Sequence, residues 1–251
     1  MLFHPYLSRM FLNRRIIGRL IPFALVLVSV VCPAAGISTR VLIFAEMEPG
    51  NGAYISRAIA NSRYLRLDYG DKSGFVLFDR QRREIYSINH FDHTVMVVSE
   101  RKVLQKPPFK ITLQDKHVAT NKINYKNKEL HHDQFFANDI RCADVFAIPD
   151  LLPDVTQAYQ DYFQVLAGEH VQTLDAIPRD LLDACDLATN IFAPTRHFSH
   201  GFPIQEILFN GKRRILLDFD RDYPMGEKWY ALPAAYRRFT PAQMRGTEFG
   251  A

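Results

Sequence analysis

Four short runs between residues 63 and 99 constrain the fold more than any other part of the chain. RYLRLDY (63–69), GFVLFD (74–79), REIYSIN (83–89) and HTVMVVS (93–99) are rich in β-branched and aromatic residues, which suit a pleated, half-buried surface. The breaks between them are Gly70-Asp71-Lys72-Ser73, Arg80-Gln81-Arg82 and His90-Phe91-Asp92, each short enough for a hairpin turn. Four strands joined in this way make an antiparallel meander. In the first run Leu65, Leu67 and Tyr69 fall on one face and Arg66 and Asp68 on the other, which predicts a sheet with one wet face.

VLIFAEM (41–47) is a further β-like run, and Gly50-Asn51-Gly52 punctuates it. Residues 53–60 read equally as a short helix or a strand. FKITLQ (109–114) follows Pro107-Pro108 as another strand candidate, and the polar stretch 115–134 reads as a loop or a frayed helix. The periodicity changes after residue 150. Val155, Tyr159, Tyr162 and Leu166 recur at helical spacing, with Asp154 placed to cap the start and Gly168 to mark the stop. Pro178 opens a second helix that turns Leu181, Leu182, Cys185 and Ala188 inward. Strands return as FPIQEILF (202–209) and RRILLDFD (213–220), joined across Asn210-Gly211-Lys212, where Asn-Gly supplies the positive φ a hairpin turn wants. Residues 228–239, which hold the only Trp, add an edge strand. The expected class is α+β, an antiparallel sheet with a helical segment packed on one face.

The first residues follow a different logic. Arg14, Arg15 and Arg19 precede an uncharged apolar run from Leu20 to Val31, and the small residues Ala34, Ala35 and Gly36 follow it. Basic, apolar, small is the order of a signal peptide, and the run is shorter than the roughly 20 residues a spanning helix needs. The expectation is export to the periplasm or beyond, with cleavage near Ala34 to Gly36; the alternative is an uncleaved anchor. Lipidation at Cys32 is disfavoured by Val31 before it and Pro33 after it. Removing 36 of the 251 residues leaves 215, which suits one domain at 37–251. The net charge of +4 belongs to the leader, because Arg9, Arg14, Arg15 and Arg19 supply four positive charges and no acidic residue precedes Glu46. A body near neutrality argues against nucleic-acid binding, which needs clustered Lys and Arg. Cys142 and Cys185 then remain, and an oxidising compartment permits one disulfide between them; the alternative is two buried thiols.

Motifs that carry chemistry are sparse. There is no Gly-x-Ser-x-Gly, no phosphate-binding glycine loop and no cofactor fingerprint. His131-His132-Asp133 has ligand types that suit zinc or copper, but neighbours on a strand point apart and no third ligand sits at a recognisable spacing, so a solvated loop is expected and no metal site is assigned. His197 and His200 are bracketed by Pro194 and Gly201, which leaves no helix to align them, and His90 and His93 read as surface turn residues. Asp218, Asp220 and Asp222 read as a wet strand end offset by Arg213, Arg214 and Arg221. The aromatic residues Phe75, Phe78, Tyr86, Tyr159, Tyr162, Phe163 and Trp229 are the candidates for lining an apolar cavity, against a simple packed core.

The order of elements, with Leu65-Arg66-Leu67-Asp68, Phe78-Asp79, Gly201-Phe202-Pro203 and Pro233-Ala234-Ala235-Tyr236, resembles uncharacterised bacterial envelope proteins with a lipoprotein-carrier-like fold. That resemblance implies a strongly curved, half-open barrel covered by helices, and an envelope location. It brings no catalytic residue. Three functions are then in play. One is a non-catalytic envelope protein that holds an apolar ligand or a lipidated partner in the concave face of its sheet. The second is a structural or protein-interaction module with a filled core and an exposed edge. The third is a metal-dependent hydrolase built on the histidines.

Overall fold

The computed structural model describes residues 38–70, 73–119, 124–125 and 128–248. The leader expected at 1–36 and its cleavage site lie outside the described residues. The first six strands run in order: β1 (Arg40–Met47), β2 (Tyr54–Ala60), β3 (Tyr64–Asp68), β4 (Gly74–Asp79), β5 (Glu84–Asn89) and β6 (Thr94–Ser99). Each pairs antiparallel with the next. The ambiguous segment 53–60 is therefore a strand.

Three of the turns, β2–β3, β4–β5 and β5–β6, share one device. Asn61, Asp79 and Asn89 each end or follow a strand, and each side-chain oxygen accepts two backbone N–H groups just beyond it. A short side chain that mimics a turn's own hydrogen bond is why Asn and Asp favour such positions. Asn61 and Asp79 are buried, so these bonds also satisfy polar groups removed from water.

The second half supplies β7 (Leu113–Val118), a separate small hairpin of β8 (Asn124–Tyr125) and β9 (Lys128–Glu129), then β10 (His131–Ala137) and β11 (Ile140–Ile148). Helix α1 (Pro153–His170), the short α2 (Ala184–Leu187), β12 (Phe202–Leu208), β13 (Arg213–Asp220), β14 (Arg237–Phe239) and α3 (Pro241–Glu248) follow. Twelve strands form one sheet in the order β14-β6-β5-β4-β3-β2-β1-β13-β12-β11-β10-β7. All pairs are antiparallel except β14 with β6. The sheet does not close on itself; β14 and β7 are its two edges. The fold is α+β, and α1 is the one long helix among the described residues.

Several local expectations are corrected. The strand sought at 109–114 begins later, at Leu113, because Phe109 and Ile111 are spent packing against the helical layer. The stretch 115–134 is not a simple loop: it contains the end of β7, the small hairpin and the start of β10. Asp154 does not cap α1. The cap residue is Leu152, held at φ +83° with its side chain fully buried, and Asp154 lies in the first turn, where it pairs with Arg40 at 3.0 Å. Gly168 does not stop the helix, which continues to His170. A Cβ there would lie 2.1 Å from the Arg101 carbonyl oxygen, so glycine serves close approach to the chain after β6. The second helix is not continuous from Pro178. It breaks into a 3-10 turn at Arg179–Leu181, with Leu181 exposed, then α2 and a π turn at Ala188–Phe192. Cys185 and Ala188 do point inward. In the β12–β13 hairpin only Gly211 takes positive φ (+83°), and the Asn210 side chain instead accepts from Lys212 N–H.

The core has two layers. On one face Leu42, Phe44, Leu65, Leu67 and Phe78 meet Val155, Ala158, Tyr159, Tyr162 and Val165 of α1. The α1 residues lie three or four apart, one helical face. The other face is not wet across the meander, as the alternation of β3 suggested. Val41, Ile59, Phe75, Leu77, Tyr86, Ile88 and Val95 are roofed by Tyr230, Met225, Leu232 and Tyr236. Arg66, read as solvent-facing, lies 3.7 Å over the Phe75 ring and donates to the Trp229 carbonyl. The C-terminal segment thus covers the surface the meander was expected to show to water. Its edge strand forms as expected. Among the described residues no helix is long and apolar enough to cross a membrane.

Candidate functional site

The sheet and the helical layer do not meet everywhere. Between them lies a cleft of about 300 Å³. Its floor comes from β1, β13, β12, β11 and β10, with Glu46, Arg214, Glu206, Ala143 and Phe135. Its roof is Phe163 of α1, the π turn at Ala188–Asn190, and the turn that carries Arg196 and His197. A second lobe of about 240 Å³ adjoins it, sharing Glu46, Tyr69, Phe163 and Arg214 and reaching Phe44, Tyr159, Tyr162 and Leu166. The first lobe sits at the low end of small-molecule pockets, which are mostly apolar with a few placed polar groups.

Strand register places those polar groups. Glu46 is directly opposite Arg214 across β1 and β13, and Glu206 is opposite Arg214 across β13 and β12. Tyr54 lies opposite Glu46 on β2. The result is a row across the floor in which one guanidinium stands between two carboxylates, at 3.7 Å and 3.8 Å. Arg214 also donates to the Tyr159 hydroxyl and stacks 3.8 Å over Phe44. Ser56 donates to Glu46 at 2.5 Å. Burial works against the Arg214 charge, but Tyr159, Glu206 and Glu46 more than offset it and hold its pKa above the ordinary arginine range. Its Nε has no hydrogen-bond partner within the protein.

Tyr69, Tyr159 and Tyr162 stay protonated. Burial pushes all three hydroxyls up, Tyr162 to about 12. Tyr69 lines both lobes and keeps 43 % of its surface accessible, yet protein surrounds it closely enough for burial to dominate its titration. His197 faces Glu206 at 3.8 Å and packs edge-on to Phe163. Burial depresses its pKa below 6.5, and the nearby Glu206 offsets only part of this. The unfolded chain therefore takes up this proton first as pH falls, so the stability gained by burying a neutral imidazole is lost downward from about pH 6.5. Urea melts between pH 7.5 and 5 are expected to show falling stability with acid, and a smaller fall in His197→Gln. An identical slope in the variant would show that another group governs this range.

Of the seven aromatic candidates, the structure brings Tyr159, Tyr162 and Phe163 to the cleft. Phe78 faces the same side but is fully buried beneath α1, against Tyr162. Phe75 and Tyr86 lie on the opposite face of the sheet, and Trp229 lies under Arg57 and Arg66 on that same opposite side. None of these three lines either lobe of the cleft. Parity carries the reason: Phe75 and Phe78 are three apart on one strand, so they face opposite ways, and Tyr86 pairs with Leu77 on the Phe75 side. The same rule could have found the charged row. Arg214 is two residues before buried Leu216, Glu46 is two after buried Phe44, and Tyr69 is two after Leu67. Asp218 and Asp220 share the parity of Arg214, but the register shifts between Leu216 and Asp218, opposite Phe44 and Ile43, and Arg214 pairs with Glu46 and Glu206 instead.

Cys142 and Cys185 are joined, with Cα atoms 5.1 Å apart. The bond fastens α2 to β11 at the cleft wall, where Cys142 is a lining residue. His131, His132 and Asp133 are strand residues, not a loop. His132 stacks on Phe146 and contacts Asp144 at 3.0 Å, while His131 and Asp133 project from the other face of β10, the face of Phe135. His90 and His93 pack against Tyr236.

No protein-family model matches this chain, and no curated protein matches it in sequence. Solved structures with a similar arrangement include an uncharacterized conserved protein from Thermus thermophilus, at 7 % identity and TM-score 0.42, covering 81 % of this chain and 90 % of that one. PNGF-II matches at 9 % identity and TM-score 0.44, over 85 % of this chain and 33 % of its own. MucB matches at 10 % identity and TM-score 0.34, over 80 % and 59 %. The chain thus spans about a third of PNGF-II and less than two thirds of MucB.

Proposed function

We propose that this is an exported, non-catalytic envelope protein whose cleft holds the acyl chain of a lipid or of a lipidated partner, in the manner of a lipoprotein-carrier-like fold. One observation carries the reading: the sheet and its helical cover leave a cleft of about 300 Å³ open, walled by Phe163, Phe135 and Tyr69. Burying an apolar chain there gains roughly 25 cal/mol for each Å² removed from water. The Glu46–Arg214–Glu206 row gives the cleft one polar side, which suits an amphiphile better than a hydrocarbon. The basic-apolar-small order of residues 14–36 and a disulfide, which persists in oxidising compartments, support the location.

The test is titration with palmitate, followed by displacement of a fluorescent fatty acid. Ala143→Trp on the floor and Asn190→Trp at the rim are expected to weaken uptake roughly tenfold or more, equal to about 1.4 kcal/mol, with unchanged far-UV circular dichroism. Equal uptake by both variants and the parent, or none by any of them, would remove the cleft from the account.

A second reading has its own observation. β7 is an edge strand whose residues Leu113–His117 are all exposed, so this edge of the sheet is placed to take a partner strand, with the Gln114 carbonyl already accepting from Arg196. An envelope protein captured through β7, with palmitate ignored, would favour an interaction module.

A further inference from the structure

The row of residues across the cleft floor does not stop at Glu206. Val145 lies opposite Glu206, Asp133 opposite Val145, and His117 opposite Asp133, across β12, β11, β10 and β7. Val145 is 1 % exposed and separates the charged row of the cleft from a second polar group at the sheet edge.

That group is built around a buried carboxylate. Asp133 is 2 % exposed, yet its two oxygens face two different imidazoles: Oδ1 meets His117 Nδ1 at 3.1 Å, and Oδ2 meets His200 Nδ1 at 3.0 Å. His131, two residues before Asp133 on the same face of β10, completes the set. Its ring lies 5.5 Å from that of His117 and 6.3 Å from that of His200. One ligand atom from each of His117, His131 and Asp133 lies within 4.8 Å of the other two.

We propose that His117, His131 and Asp133 bind a divalent first-row transition-metal ion, and that His200 orients the Asp133 carboxylate through its second oxygen. Two imidazoles and one carboxylate are borderline donors that suit zinc or copper. Bonds of about 2.0–2.1 Å in a tetrahedron would set neighbouring ligand atoms roughly 3.3 Å apart, close to the Asp133–His117 separation already present. The remaining approach falls chiefly to His117, whose side chain is 57 % exposed and opens the site to solvent. A set of three protein ligands leaves a coordination position for water. The histidine doublet in the sequence hid this arrangement, because the partners of His131 are the residue two positions on and a residue of the neighbouring strand. His132 points away.

The site is tested with the full chain stripped by chelator and titrated with Zn²⁺ and Cu²⁺ by calorimetry, with bound metal counted after dialysis. About one equivalent is expected. His117→Ala and His131→Ala are expected to abolish that binding while keeping the parent's circular dichroism. His200→Ala should weaken it by roughly 10–100-fold, the usual cost of losing an orienting partner. His132→Ala should leave it unchanged. No stoichiometric uptake of either ion, or uptake that survives both His117→Ala and His131→Ala, overturns the assignment. Palmitate titration of the same samples is independent of this outcome.

Discussion

Replacing Cys142 and Cys185 together by Ala is expected to lower the melting temperature by roughly 8–16 °C. The bond closes a loop with a sequence separation of 43, and constraining a loop of that size in the unfolded chain contributes about 4 kcal/mol. In a domain of this size each kcal/mol moves the midpoint by about 2–4 °C. The loss should be local in its consequences as well. α2 and the π turn after it are short, and the π turn forms part of the cleft roof. Without the tether to β11 the roof loosens, so palmitate affinity should fall with stability. Scanning calorimetry of the oxidised, reduced and double-Ala forms checks this. A double-Ala protein that melts within about 2 °C of the parent would show that burial of Ala184, Ala188 and the side chain at position 185 alone holds the roof.

Arg214→Ala should cost about 3 kcal/mol, toward the low end for breaking a buried pair because the side chain remains 20 % exposed. The variant removes more than one contact. It leaves Glu46 and Glu206, 19 % and 12 % exposed, facing each other across an emptied strand position. It also strips the Tyr159 hydroxyl of its donor and the Phe44 ring of its stacked guanidinium. Lysine should not rescue it, because an ammonium cannot stack and fork at once. Neutralising the carboxylates should: Arg214→Met with Glu46→Gln and Glu206→Gln is expected to regain most of the loss, since the penalty is chiefly that of unpaired charge. Urea unfolding of the three proteins decides it. A triple variant no more stable than Arg214→Ala would place the cost in lost packing.

These effects fall on residues that the sequence reveals unevenly. The meander was legible because its strands are short, apolar and separated by turn residues, so local pairing settles the topology. The α1 face was legible for the same reason: Val155, Tyr159 and Tyr162 repeat at the period of the element that carries them. The strands β10 and β11 were obscured, because His131, His132, Asp133 and Gln134 look like a solvated loop until β7 and β11 flank them. The cleft was half legible. Aromatic residues announce burial but not which face: Phe75 and Tyr86 pack under the C-terminal segment, and Trp229, part of that segment, lies against Arg57 and Arg66. Charged residues announce water, yet strand parity puts Arg214, Glu46 and Glu206 inward. Glu206 and Arg214 meet across the local β12–β13 hairpin, but Glu46 joins them only through the register of β1 with β13, strands far apart in sequence, and no local pattern encodes that.

Native mass spectrometry of the full chain, purified from envelope extracts without added detergent, bears most directly on the cleft. An occupied cleft predicts a population heavier than the polypeptide by the mass of one acyl-bearing molecule, and its disappearance in Ala143→Trp. A single species at the mass of the bare polypeptide, unchanged after incubation with lipid, would contradict it.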